Sequence, residues 1–224
     1  AEHEAEFETI DEIPLWDNGR GFVSGRRSSL CCVTLREPEA AGTPPVRQLT
    51  PPHMTVDQVV QKEDGLYFTA RTYRGRNTEP GVYFLAAEDC RAEALTCLVE
   101  EGIYRISHLD AETNRETGVR QVYFTAQDKR TQCMTDDHGF YRAAAGQVEK
   151  LPVPEASVSD TVSSDCIYGE NPEFAVRDGR IYYVATEGWD SFVKWTDEKG
   201  RGGCLTPPGG SVNGFALLKA DGGD

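Results

Sequence analysis

The sequence predicts an all-β fold of repeated four-stranded antiparallel sheets, and three observations predict it. One short aromatic strand is written three times, as Gly65-Leu66-Tyr67-Phe68-Thr69-Ala70, Gln121-Val122-Tyr123-Phe124-Thr125-Ala126 and Arg180-Ile181-Tyr182-Tyr183-Val184-Ala185, with steps of 56 and 59 between Tyr67, Tyr123 and Tyr182. The copies are bounded by turn residues such as Glu63-Asp64-Gly65, Ala144-Ala145-Gly146 and Arg177-Asp178-Gly179, the short connections that a meander requires. Helical 3.6-residue periodicity is missing outside Asp89 to Glu93, a stretch too short for more than a turn. A repeat of roughly 40 to 55 residues made of short strands is the mark of a propeller. The expectation is therefore a partial β-propeller of about four blades, each a four-stranded antiparallel sheet.

The first repeat, about residues 7–50, draws strands from Ile10 to Trp16, Gly21 to Ser24, Leu30 to Leu35 and Val46 to Thr50, without the aromatic pair. The second, 56–96, runs through Val56 to Val60, the Tyr67 strand, Gly81 to Leu85 and a closing strand ending at Ala94-Leu95-Thr96. The third, 103–152, uses Ile103 to Ser107, the Tyr123 strand, Gly139 to Arg142 and a close at Lys150-Leu151-Pro152. The fourth, 172–206, uses Pro172 to Val176, the Tyr182 strand, Phe192 to Trp195 and Cys204-Leu205-Thr206. The closing leucines 49, 95, 151 and 205 step by 46, 56 and 54. Residues 210–224 read as the start of a connection to a further blade, and 1–224 as a single propeller segment. A twisted four-stranded sheet cannot bury either face alone, so blades stacked face to face give these Tyr and Phe side chains their core.

Apolar residues make up 38% of the chain and charged ones 27%, which is globular composition, and no apolar run approaches the ~18 residues of a spanning helix. The net charge of -14 repels phosphate backbones and anionic lipid, which argues against nucleic-acid and membrane partners. Cysteines 31, 32, 90, 97, 133, 166 and 204 are odd in number and contain no C-x-x-C pair, so neither a disulfide framework nor a zinc site is predicted, and a reducing compartment fits. Adjacent Cys31 and Cys32 lie in an apolar stretch and read as small buried hydrophobes.

The repeats resemble the propeller of the prolyl oligopeptidase family of serine peptidases, in its branch of acylaminoacyl-peptidases and dipeptidyl peptidases. The resemblance is carried by Glu12-Ile13-Pro14 running to Asn18-Gly19-Arg20-Gly21-Phe22, then Arg27-Ser28-Ser29-Leu30, similar to the family's E-I-P-x-x-x-N-G-x-G-F and R-x-x-L. Tyr67-Phe68-Thr69-Ala70 through Tyr73 to Gly81-Val82-Tyr83, Asp165 with Gly169 ahead of Ile181-Tyr182-Tyr183, and Ser211 to Phe215 follow in the family's order. The resemblance implies a cytoplasmic, non-catalytic propeller region that gates or selects peptide substrates for an α/β-hydrolase domain of the same parent chain. It also implies that the match starts about two blades into that propeller, that the hydrolase lies beyond Asp224, and that exposed blade faces let the chain self-associate. The alternative is a free-standing propeller that binds a protein or a glycan; a propeller enzyme with an axial metal ranks last.

Within the chain no catalytic, cofactor-binding or metal residue is assigned. The nearest approach to the G-x-S-x-G nucleophile elbow, Gly209-Gly210-Ser211-Val212-Asn213, fails at its fifth position. His3, His53, His108 and His138 have no partner that spacing identifies, and His138 reads as a turn residue rather than a metal ligand. Arg71 to Arg76 form the one basic cluster and read as a solvated loop, with a path for peptide carboxylates as the functional alternative. The S-x-D-x-G-x-x-W turn of sialidase-like propellers is absent.

Overall fold

A computed structural model describes residues 16–17, 21–23, 25–33, 45–73, 79–87, 94–115, 117–159 and 173–218. Ile10 to Leu15, the 18–20 motif, Arg74 to Arg76, the Asp89 to Glu93 turn, Asp165, Gly169 and Pro172 lie outside the described residues, as do His3, Cys90 and Cys166. The chain is all-β, with strands β1 (Trp16–Asp17), β2 (Gly21–Phe22), β3 (Cys31–Val33), β4 (Val46–Gln48), β5 (Met54–Lys62), β6 (Gly65–Thr72), β7 (Gly81–Ala86), β8 (Thr96–Val99), β9 (Tyr104–Thr113), β10 (Arg120–Asp128), β11 (Gly139–Ala144), β12 (Gln147–Lys150), β13 (Phe174–Arg177), β14 (Arg180–Glu187), β15 (Asp190–Asp197) and β16 (Gly202–Cys204). Three four-stranded sheets follow chain order, β5 to β8, β9 to β12 and β13 to β16, and the first repeat supplies two two-stranded pairs, β1-β2 and β3-β4.

Two compact units result, one of Ala1–Val59 and Glu63–Gly102 and one of Val60–Lys62 and Ile103–Asp224. In the first, Leu49, Met54, Val56, Phe68, Ala70 and Leu85 form the core. In the second, the core includes Tyr123, Phe140, Leu151, Phe174, Ile181 and Tyr183, drawn from both of its sheets.

The repeated strand is repeated in register as well as in letters. Tyr67, Phe68 and Thr69 face Phe84, Tyr83 and Val82, and Tyr123, Phe124 and Thr125 face Arg142, Tyr141 and Phe140. Tyr182, Tyr183 and Val184 face Trp195, Lys194 and Val193 in the same way. Tyr67, Phe68, Tyr123 and Phe124 are all wholly buried, so consecutive side chains on opposite faces of one strand are both covered. Each such ring removed from water contributes about 2–3 kcal/mol. In the third copy Tyr183 is buried and Tyr182 only half-buried.

The turn residues act as their chemistry requires. Asp178 and Gly179, with φ of 51° and 70°, join β13 to β14, and Ala145 and Gly146, with φ of 49° and 77°, join β11 to β12. Positive φ at both central residues gives the twist that matches antiparallel strands.

The closing strands depart from the expectation in one sheet. Leu49 N–H donates to Leu30 O at 2.7 Å, Leu151 to Phe140 O at 2.8 Å and Leu205 to Val193 O at 2.8 Å, so three of the leucines do the same work. Leu95, however, precedes β8 instead of closing it. A bulge between Val82 and Tyr83 puts Val99 opposite Val82, the place that Leu151 takes opposite Phe140. Val99, 3% exposed, is the true equivalent, and the steps from 49 through 99 and 151 to 205 become 50, 52 and 54. Cys31 is a second departure. It is exposed, because β3 alternates and turns Cys32, not Cys31, toward Leu30 and the core.

Candidate functional site

In the second unit, one seam joins β9 to β13, and acidic side chains hold one end of it. Asp110 Oδ2 accepts the Val176 N–H at 2.6 Å, and Glu112 Oε1 accepts the Gly179 N–H at 2.9 Å. Lys62, grouped with the same unit, lies 2.6 Å from the other Asp110 oxygen. Burial pushes the Glu112 carboxyl above its ordinary range, with the Gly179 N–H opposing that rise. Tyr123 donates to Glu198, whose other oxygen pairs with Arg142 at 2.6 Å. Burial and this acceptor together raise the Tyr123 hydroxyl well above the usual phenol range.

The other end of the seam carries imidazoles. Opposite Thr125, β9 shifts register, so that Thr125 faces His108 while Ala126 faces Ile106, leaving Ser107 as the extra residue of a bulge. The bulge presents Ser107 and His108 side by side. His108 Nδ1 lies 2.9 Å from Thr125 Oγ1, its ring stacks on Phe174 with centroids 5.9 Å apart, and its Nε2 is 3.7 Å from Glu173 Oε2. His138, at the lead into β11, places Nε2 2.9 Å from Ser107 Oγ. Burial and the neighbouring His138 push the His108 imidazole down to about 4. Burial also lowers His138, with Arg105 adding to the effect and Asp137 opposing it. Both imidazoles are therefore neutral near pH 7.

A neutral imidazole on a serine hydroxyl is the base–nucleophile half of a triad, but the rest is not assembled. The serine sits on His138 whereas the carboxylate faces His108, so among the described residues no single imidazole bridges nucleophile and acid. Among the described residues no group of three or more His, Cys, Asp or Glu side chains is placed to hold a metal ion.

The other sequence candidates lie apart. Ser211 is exposed in a segment without regular structure, where Gly210 O accepts the Ser191 N–H at 3.1 Å; the strand-to-helix turn of a nucleophile elbow is not built there. His53 is exposed, and its carbonyl accepts the Tyr73 N–H at 2.9 Å. Arg71 is half-buried and paired with Asp57, so this member of the basic cluster is held in the sheet instead of moving in solvent. His138 is more than a turn residue, since its backbone bridges to Ala156 and its ring to Ser107. Sequence missed the Ser107–His138 and His108–Thr125 pairs because a bulge, invisible in spacing, creates the first and cross-strand register the second.

Among the described residues no helix is long and apolar enough to cross a membrane. No family model matches the chain, and none of the curated proteins does.

Proposed function

We propose that this chain is a partial β-propeller from a serine peptidase of the prolyl oligopeptidase family, acting in the cytoplasm to gate or select peptides for an α/β-hydrolase domain of the same parent chain. The observation that carries the reading is the shared register of the Tyr67, Tyr123 and Tyr182 strands, each the second strand of a four-stranded meander. Support also comes from the second unit, where two successive sheets meet through their first strands, β9 and β13, and bury Phe140 against Tyr183 with centroids 4.9 Å apart. That is the stacking by which neighbouring blades cover one another. The split between the Ser107–His138 pair and Glu173 fits a region that shapes access and leaves bond breaking to another domain.

The experiment is to read the coding sequence past Asp224. A G-x-S-x-G elbow followed by an Asp and a His is expected; a frame that lacks them removes the peptidase assignment. If they are present, deleting residues 45–218 from the parent should widen the range of peptide lengths hydrolysed. An unchanged length preference would remove the gating role while leaving the family assignment intact.

A further inference from the structure

We propose that the β9–β13 seam is an acid-released clasp, closed while His108 and His138 are both neutral and opened when an imidazole in it takes up a second proton. The device is local to a few side chains. The bulge sets Ser107 and His108 next to each other on β9, so that one kink ties the lead of β11 through His138 and the lead of β13 through Phe174 and Glu173. Both sheets of the unit are gripped at one point.

Hydroxyls are indifferent to the added proton, since Ser and Thr can turn from donating to accepting. The charge is what the site does not tolerate. Among the described residues, the groups facing the pair are Glu173 from the lead into β13, Asp137 from the lead into β11 and Arg105 from β9 itself, while β10 offers the neutral Thr125 and β13 the ring of Phe174. Glu173 stands at 3.7 Å, beyond hydrogen-bond length, and is itself partly exposed. A proton on His108 therefore puts a cation in a half-buried site beside a second imidazole, with the face of Phe174 and, among the described residues, one carboxylate beyond hydrogen-bond length in partial compensation. Burial weakens solvent's help. The low affinity of His108 for a proton agrees with this. Parting the seam exposes both rings to water and removes the penalty.

At the other end no imidazole is involved among the described residues: Asp110 holds the Val176 N–H and pairs with Lys62. The Glu112 carboxyl there, raised by burial, takes up a proton as the pH falls and weakens its own bond to Gly179. Opening is thus expected to begin at Phe174 and not at Val176. The Val184 N–H, which donates to Glu173 O at 2.8 Å, reports on the first end, and the Val176 N–H on the second.

The test is amide hydrogen exchange on the whole chain between pH 7 and pH 4, corrected for the intrinsic pH dependence of exchange. Protection of Val184 should fall about tenfold or more across that range, with a smaller fall at Val176. His108→Gln, neutral at every pH and still able to bond Thr125, should keep the protection seen at pH 7 and flatten the step. A step of undiminished size in His108→Gln, or no step in the wild-type chain, overturns the clasp. Should His108→Gln fail to fold, the imidazole resonances of the wild type decide: titration of both histidines near 6.5 overturns the proposal, and titration of His108 well below that value together with loss of Val184 protection supports it.

Discussion

At the scale of single residues, the buried tyrosines show how one letter serves two purposes. The ring of Tyr123 is wholly covered, yet its hydroxyl reaches Glu198 on the turn after β15 and lies 3.2 Å from Gln121 Oε1. Tyr67 is covered as completely and donates to Asp64 Oδ2 at 2.7 Å, within its own hairpin. Tyr123→Phe keeps the apolar burial and removes a bond to a charged acceptor, a loss of about 1.5–3 kcal/mol. Tyr182→Phe, at the half-buried third copy, should cost less than half of that; urea melts of the two variants check the order, and equal losses would mean that the hydroxyl bond is unimportant. Gly81 illustrates the opposite constraint, that of space. A Cβ there would stand 2.6 Å from Val99 O and 3.1 Å from Glu101 Cγ, and the first of these is backbone that cannot swing away. Gly81→Ala should therefore lower stability by about 1–3 kcal/mol through overpacking, read as a fall in the urea midpoint.

At the scale of elements, the closing Leu-Thr pairs explain what a repeated motif is for. Leu30 N–H donates to Thr50 Oγ1 at 3.2 Å while Leu49 N–H donates back to Leu30 O, and Val193 N–H donates to Thr206 Oγ1 at 3.1 Å while Leu205 N–H donates back to Val193 O. The threonine hydroxyl finishes the ladder where the strand has run out of backbone. Thr50→Val keeps the shape and orphans the Leu30 amide, at a cost of about 1–3 kcal/mol by thermal melting. Ala145 supplies the converse case. It holds φ of 49° in the β11–β12 turn, a conformation that costs a non-glycine residue about 1 kcal/mol and that Asn tolerates better. Ala145→Asn should raise the melting temperature, and a fall would show that the turn is held from elsewhere. These same elements mark how far the sequence could be read. The Tyr strands and their hairpin turns were legible because aromatic runs and Asp-Gly or Ala-Gly pairs are local signals. The closing strand at Val99 was not, since the bulge at Val82 shifts it away from the more conspicuous Leu95-Thr96. The histidine pairs were illegible for a related reason. His108 and His138 are 30 residues apart and meet through Ser107, whose position depends on a register shift that composition does not encode.

At the scale of the whole molecule, each compact unit has its own buried cluster, one centred on Phe68 and one on Phe140 and Tyr183, so the two are expected to unfold in separate steps. Phe68→Ala and Phe140→Ala, each expected to cost about 3–5 kcal/mol, would assign the steps in a calorimetric scan by lowering one transition apiece. Acid then distinguishes the units further. His53, in the first unit, is exposed, whereas His108 in the second is half-buried with its imidazole at about 4, below the ordinary 6.5 of the unfolded chain. A folded state that binds the proton less tightly loses stability as the pH falls. The contribution is complete above 6.5, declines between 6.5 and 4 and is gone below 4; about 2.5 pH steps at roughly 1.4 kcal/mol each set an upper bound of about 3.5 kcal/mol. The transition lowered by Phe140→Ala should accordingly move down as the pH drops from 7 to 4, and do so less in His108→Gln. An acid-sensitive step that proves to be the one lowered by Phe68→Ala, or a single transition that both substitutions move equally, would mean that histidine burial does not govern the acid response and that the two cores act as one.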